Sequence, residues 1–174
     1  MSVRPPLPYE FLPQVPSFPL SSRDFTEGAT LGEEFIHSGG NLSPHLAWSG
    51  VPEATRSIAV TCYDPDAPTG SGWWHWLALN LPADTTELPR GAGSSDGSLP
   101  GAASFHGRND FPGNQYDGAA PPPGAPHRYV FAVHALDVEK LDVTPDTPPA
   151  QVGFHLTFHT LARAVLTGEY GVPA

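Results

Sequence analysis

The chain has 174 residues, eight of them basic and eighteen acidic, for a formal net charge of −10. That balance opposes a broad nucleic-acid surface or an anionic membrane face. The length suits one domain whose core needs neither disulfides nor a structural metal.

Twenty-two prolines and eighteen glycines are scattered among apolar runs, which implies many turns around short strands rather than disorder. The single cysteine, Cys62, has no partner to bridge to and sits in a strand-like run, so it reads as a small buried apolar residue. Seven of the eight basic residues are arginine. Arginine grips phosphate or carboxylate with two parallel bonds, so one well-placed guanidinium counts for more than the total.

Residues 1–20 read as an extended, proline-punctuated arm carrying Tyr9, Phe11, Leu12, Val15 and Phe18, expected to pack on the body or on a partner. They have no apolar run of the kind found in a signal peptide, and no segment reaches the roughly 20 apolar residues that span a bilayer. A soluble cytoplasmic protein is the expectation, with residues 21–174 as one domain. Residues 25–37 are expected to hold one or two short strands, and Asn41-Leu42-Ser43-Pro44 a turn. Residues 56–63 predict a strand from Ile58, Val60 and Thr61.

Residues 74–81 predict a second strand, apolar on both faces. Strict alternation sets Leu77, Leu79 and Leu81 on one face, together with His75, and Trp74, Trp76 and Ala78 on the other. Residues 84–124 are rich in Gly, Pro, Ser, Asn and Asp, and a loop of that length within a domain is usually functional. Residues 128–137 alternate as a third strand. A final helix is predicted with its cap at Asp146 or Thr147, Pro148 in its first turn and Gly168 at its end. Phe154, Phe158, Leu161 and Val165 supply its apolar stripe. The elements together imply a mainly β fold with helical trim.

Three polar motifs flank the predicted strands: Asp64-Pro65-Asp66-Ala67-Pro68, Trp73-Trp74-His75-Trp76 and His127-Arg128-Tyr129. In the first, two prolines fix two φ angles, so the carboxylates are held in place. The same aspartates can instead close Asx turns on their own backbone. His75 needs a partner to fix its tautomer, and Asp64 is a candidate that would also raise its pKa. Before His127, the backbone N–H groups of Gly118, Ala119 and Ala120 can form an anion-binding concavity. Arg128 is expected to bridge to one of the aspartates.

Two imidazoles and a carboxylate also make a legitimate metal set, and His155 and His159 have the i, i+4 spacing of metal ligands. No Glu follows His155, and no nucleophile elbow, phosphate loop or CxxC is present, which favours binding over catalysis.

These motifs, with Leu42-Ser43-Pro44-His45-Leu46-Ala47-Trp48 and the ending His159-Thr160-Leu161-Ala162 … Leu166-Thr167-Gly168-Glu169-Tyr170, resemble the phosphatidylethanolamine-binding protein family in its bacterial Raf-kinase-inhibitor-like branch. The resemblance implies two packed antiparallel sheets, a C-terminal helix and short peripheral helices. It implies a pocket for a small anion or phospholipid head group, without a cofactor or catalytic residue. By position the ligand residues are Asp64, His75 and His127, with Trp73, Ala120, Pro121 and Pro122 as walls. Asp66, Pro68, Arg128 and Tyr129 support them. A protein target, as for kinase or protease inhibitors of the family, and a homodimer are the further implied partners. Where the bacterial pattern has Gly-Pro-Cys-Pro-Pro or similar, this chain has Gly118-Ala119-Ala120-Pro121-Pro122. A positive φ at Ala120 would strain it by about 1 kcal/mol or more.

Overall fold

The computed structural model describes residues 4–174. Its elements in chain order are α1 (Pro8–Phe11), β1 (Leu20–Ser21), a 3₁₀ turn (Glu33–Phe35), β2 (Leu46–Trp48), β3 (Ser57–Asp64), β4 (Trp73–Pro82), β5 (Glu87–Leu88), β6 (Phe105–His106), β7 (His127–Leu136), α2 (Pro149–His159) and β8 (Thr160–Tyr170). A three-stranded sheet runs β1-β2-β5 and a five-stranded one β6-β4-β3-β7-β8, with every strand pair antiparallel.

The large sheet is buried on both faces. One face meets the small sheet across a core that includes Leu46, Trp48, Val60, Trp76, Phe131 and Leu166. The other face carries Ala59, Leu77, Leu79 and Leu136 and is covered by Val152 and Leu156 of α2. The three interior strands β3, β4 and β7 therefore read as near-continuous apolar runs. No helix among the described residues is long and apolar enough to cross a membrane.

Strict alternation fails twice along β4. Trp74 faces Tyr63 and Trp76 faces Cys62, so His75 is an extra residue in a bulge. Its ring turns to Tyr129 in the inter-sheet core, 5.2 Å between centroids, and away from the face of Leu77 and Leu79. Trp74 goes the opposite way and packs on the cluster beneath α2. The second slip lies between the Val60–Ala78 and Ile58–Leu81 pairs, where Asn80 has φ 57°. It moves Leu81 to the inter-sheet core, and the Asn80 side chain accepts the backbone N–H of Leu141.

The last helix is shorter than predicted. It runs over Pro149–His159 with Pro148 at the N-cap, where no side chain can accept a hydrogen bond, and the Thr147 hydroxyl takes the N–H of Thr144. From Thr160 onward the chain pairs with β7 along its whole length, which outweighs the helical propensity of Leu161-Ala162-Arg163-Ala164. Gly168 lies opposite Tyr129 in that ladder, and a Cβ there would press on Leu31. The stripe is redistributed accordingly: Phe154 and Phe158 are 61% and 69% exposed, and Val165 faces outward from β8. Residues 25–37 form the 3₁₀ turn and single bridges at Thr30 and Ile36 in place of strands.

The arm docks on its own chain. Arg4 bonds Glu169 and the Pro126 carbonyl, Arg128 bonds the Pro5 carbonyl, and Phe18 enters the core. Residues 1–3 of the predicted arm lie outside the described residues.

Candidate functional site

Antiparallel pairing carries the three motifs to one end of the large sheet. Asp64 ends β3 opposite Trp73, which begins β4, and His127 begins β7, the neighbour of β3 on its other side. A cleft of about 200 Å³ opens there. It is lined by Asp64, His75, His127, Trp73, Ala120, Pro121, Pro122 and Pro68, with Ala67, Thr69 and Phe111. Tyr129 lies behind His75, while Asp66 and Arg128 pair outside the lining.

The β3–β4 loop is stiffened from within. Asp64 Oδ1 accepts the N–H groups of Asp66 at 2.7 Å and Ala67 at 3.1 Å, an Asx turn. Gly72 has φ +66°, and a Cβ there would collide with the Tyr63 ring. The other Asp64 oxygen, Oδ2, accepts from His127 Nδ1 at 2.7 Å. Asp64 therefore performs both roles that its motif allows, and its partner is His127, not His75. Burial pushes its carboxyl above the usual range, against the lowering effect of His127.

Asp66 is held by Arg128 through Nε at 2.9 Å, Nη2 at 2.8 Å and the backbone N–H at 2.9 Å. Burial alone would raise the Asp66 carboxyl; the Arg128 bonds overturn this and hold it below its ordinary value. Arg128→Met strips the guanidinium from a nearly buried carboxylate. We expect a loss of about 2 kcal/mol at neutral pH, measurable by urea unfolding and much smaller in the Asp66→Asn background.

His75 is 3% exposed and its Nδ1 lies 2.7 Å from the Asp117 carbonyl oxygen. A carbonyl only accepts, so Nδ1 carries the proton. Burial pulls its pKa down to about 4, against the raising effect of that bond, so the ring is neutral at pH 7. The expectation of a raised value fails because the partner is a carbonyl and not a carboxylate. Nε2 of His75 and Nε2 of His127 have no hydrogen-bond partner among the described residues.

Several residues of the long loop hold this geometry and escaped the sequence reading. Asn109 accepts the N–H groups of Phe111 and Gly113 through Oδ1 and donates to Asp117 Oδ2 at 2.7 Å. The resulting turn places Phe111 edge-on to both Trp73 and His75, with ring centroids 5.4 Å apart in each case, and stacked on His37. An Asn two residues before an aromatic in a Gly/Pro-rich loop is a turn signal that was available.

The predicted N–H concavity at Gly118 is not free, since Gly118 N donates to Asn41 Oδ1 at 2.7 Å. Ala120 is unstrained: among the described residues, positive φ outside glycine occurs at Asn41 and Asn80. Gly118 is under tighter constraint, because a Cβ there would overlap the Phe35 carbonyl oxygen. Gly118→Ala should cost about 2 kcal/mol by thermal or urea unfolding and should weaken any ligand of the cleft by displacing Asp117 from His75.

His159 does not pair with His155 as a ligand set; its Nδ1 meets Asp137 Oδ1 at 2.8 Å. Among the described residues, no three His, Cys, Asp or Glu side chains converge as a metal-binding group.

Comparison with known proteins agrees with this architecture. Residues 21–171 match the phosphatidylethanolamine-binding protein family model. The chain is 51% identical over 156 residues to the UPF0098 protein YbhB of Escherichia coli K12, covering 87% of this chain and 98% of that one. The crystal structure of E. coli YbcL, described as a new member of the mammalian PEBP family, superposes with a TM-score of 0.86 at 46% identity. That match covers 90% of this chain and 99% of YbcL. A PEBP homologue from Chlamydia trachomatis, CT736, superposes with a TM-score of 0.76 at 29% identity, covering 88% of this chain and 97% of that one. A match over most of the chain, in sequence and in fold, places this protein in the phosphatidylethanolamine-binding protein family.

Proposed function

We propose that the cleft binds a small oxyanion, phosphate or the phosphoryl part of a phospholipid head group, between His75 and His127. One observation carries the reading: each imidazole spends Nδ1 on the protein and leaves Nε2 unpartnered, on a shared cleft of about 200 Å³. The two rings differ in kind. Neutral His75 offers an acceptor at Nε2, backed by a carbonyl on Nδ1, whereas His127 presents Nε2 from a ring whose Nδ1 is paired to a carboxylate. A monohydrogen phosphate or phosphomonoester monoanion supplies both a P–OH donor and charged acceptor oxygens, so it meets both rings at once.

The volume falls below the roughly 300–1,000 Å³ of sites for drug-sized ligands, which suits a head group more than a whole lipid. Trp73, Phe111 and Pro121 give the cleft apolar walls beside the two rings. The family name carries phosphatidylethanolamine, whose phosphate is the chemistry this cleft suits. On this reading the protein is a binding module rather than a catalyst. Isothermal titration with inorganic phosphate and phosphorylethanolamine tests it. We expect one site for either ligand, lost in His127→Gln; absence of binding by the unaltered protein at millimolar ligand rejects the proposal.

A further inference from the structure

Arg163 is the cation of this protein that its acidic composition leaves unmatched in the interior. Arg4, Arg23, Arg56, Arg90 and Arg128 each meet a carboxylate. Arg163 is 7% exposed and meets none among the described residues. Its one side-chain hydrogen bond runs from Nε to His134 Nδ1 at 3.3 Å, and its guanidinium lies 4.2 Å over the Tyr9 ring. His134 holds Thr61 through its other nitrogen, and burial keeps the ring uncharged, so it supplies no counter-charge. Guanidinium cannot shed its proton, and an unpaired buried charge is costly. The Tyr9 face offsets only part of that cost. The Nη groups have no acceptor among the described residues.

This cation lines a groove of about 420 Å³ between α1 and α2, on the far side of the large sheet from the inter-sheet core. The other walls are apolar and aromatic, chiefly Tyr9, Leu12, Trp74, Phe154 and Phe158. The two α2 phenylalanines touch each other, 4.9 Å between centroids, and present their free faces to solvent. An apolar concavity within the roughly 300–1,000 Å³ range, with one convergent charge, is the usual form of a small-molecule site.

We propose that this groove is a second ligand site, independent of the His75–His127 cleft, which takes a monocarboxylate with an aliphatic tail. The carboxylate pairs with the Arg163 guanidinium, and the tail lies along Trp74, Phe154 and Phe158. Charge complementarity selects the head, since a carboxylate accepts two parallel N–H bonds from one guanidinium.

Titration calorimetry of the full-length protein with octanoate and with octan-1-ol tests the assignment. Octanoate should bind with one-to-one stoichiometry at least tenfold more tightly than octan-1-ol. Arg163→Met should reduce octanoate to the level of the alcohol. Gly153→Leu, whose Cβ has ordinary contact with Trp74 and whose added chain fills the groove, should block both probes. His127→Gln should bind octanoate like the unaltered protein.

Equal affinity for acid and alcohol in the unaltered protein overturns the proposal even if Arg163→Met does not fold. Unchanged octanoate binding in Arg163→Met or Gly153→Leu overturns it too, as does its loss in His127→Gln, which would put the carboxylate in the first cleft. A dimer in sedimentation that octanoate leaves intact and that Phe158→Ser dissociates would give the groove to a second copy of the chain instead.

Discussion

A His75→Ala, His127→Ala double variant should lose phosphate affinity by on the order of a hundredfold or more, since each charge-assisted bond contributes roughly 1.5–3 kcal/mol. The single variants should not simply add, because both rings hold one ligand. His127→Ala also removes the partner of a buried carboxylate, Asp64, which then neutralises more readily. His127→Gln is the cleaner probe: its amide can still donate to Asp64 while nothing replaces Nε2. In the same way, a His75→Gln amide can reach the Asp117 carbonyl and withdraw the acceptor from the cleft. Circular dichroism and urea midpoints close to the unaltered protein, together with lost calorimetric heat, would assign the loss to the site and not to the fold. Binding that survives in the double variant would move the anion elsewhere.

Acid should destabilise the protein well above the range where carboxylates titrate. His75 has an unfolded pKa near 6.5 and a folded value of about 4. Between those values the unfolded chain binds a proton that the native state does not, so stability falls as pH falls. At about 1.4 kcal/mol per pH unit, the loss approaches ~3 kcal/mol by pH 4. His134 is depressed by burial first and by Arg163 second, and acts in the same direction. Asp64 opposes them: its raised value means that the native state holds a proton more firmly through that range, which returns some stability as pH falls. Asp66 and Asp24, both held below their ordinary values, withdraw theirs only at still lower pH. Urea unfolding at pH 7 and pH 4.5 should show a lower midpoint at unchanged slope. His75→Gln should flatten the dependence by up to one proton. A pH-independent midpoint between 7 and 4.5 would contradict the burial of neutral His75.

The three interior strands β3, β4 and β7 were legible because their β-branched and aromatic residues recur between turn signals, and antiparallel pairing then carries Asp64, His75 and His127 to one sheet end. What was not legible depends on contacts distant in sequence. A bulge at His75 turned its ring to the opposite face, and alternation alone has no way to mark an inserted residue. The sequence offers Asp64 as a partner for His75, and the pairing of β3 with β7 gives it to His127 instead.

The segment after His159 carries helix-forming residues, yet the open edge of β7 recruits it as a strand. Asn109, Phe111 and Asp117 sit in a loop without periodicity, so their convergence on His75 shows only in three dimensions. Nothing in the sequence marks Arg163 out from the other arginines. Its isolation becomes visible once it is placed on β8 beneath Tyr9.

On the proposed reading, His75 and His127 share one anion. Nitrogen-15 imidazole spectra recorded during a phosphate titration test it most directly, because each ring nitrogen reports separately. The Nε2 signals of His75 and His127 should move together with a single affinity, while those of His134 and His159 stay in place. Signals that remain still at saturating phosphate, or a shift confined to one of the two rings, would contradict it.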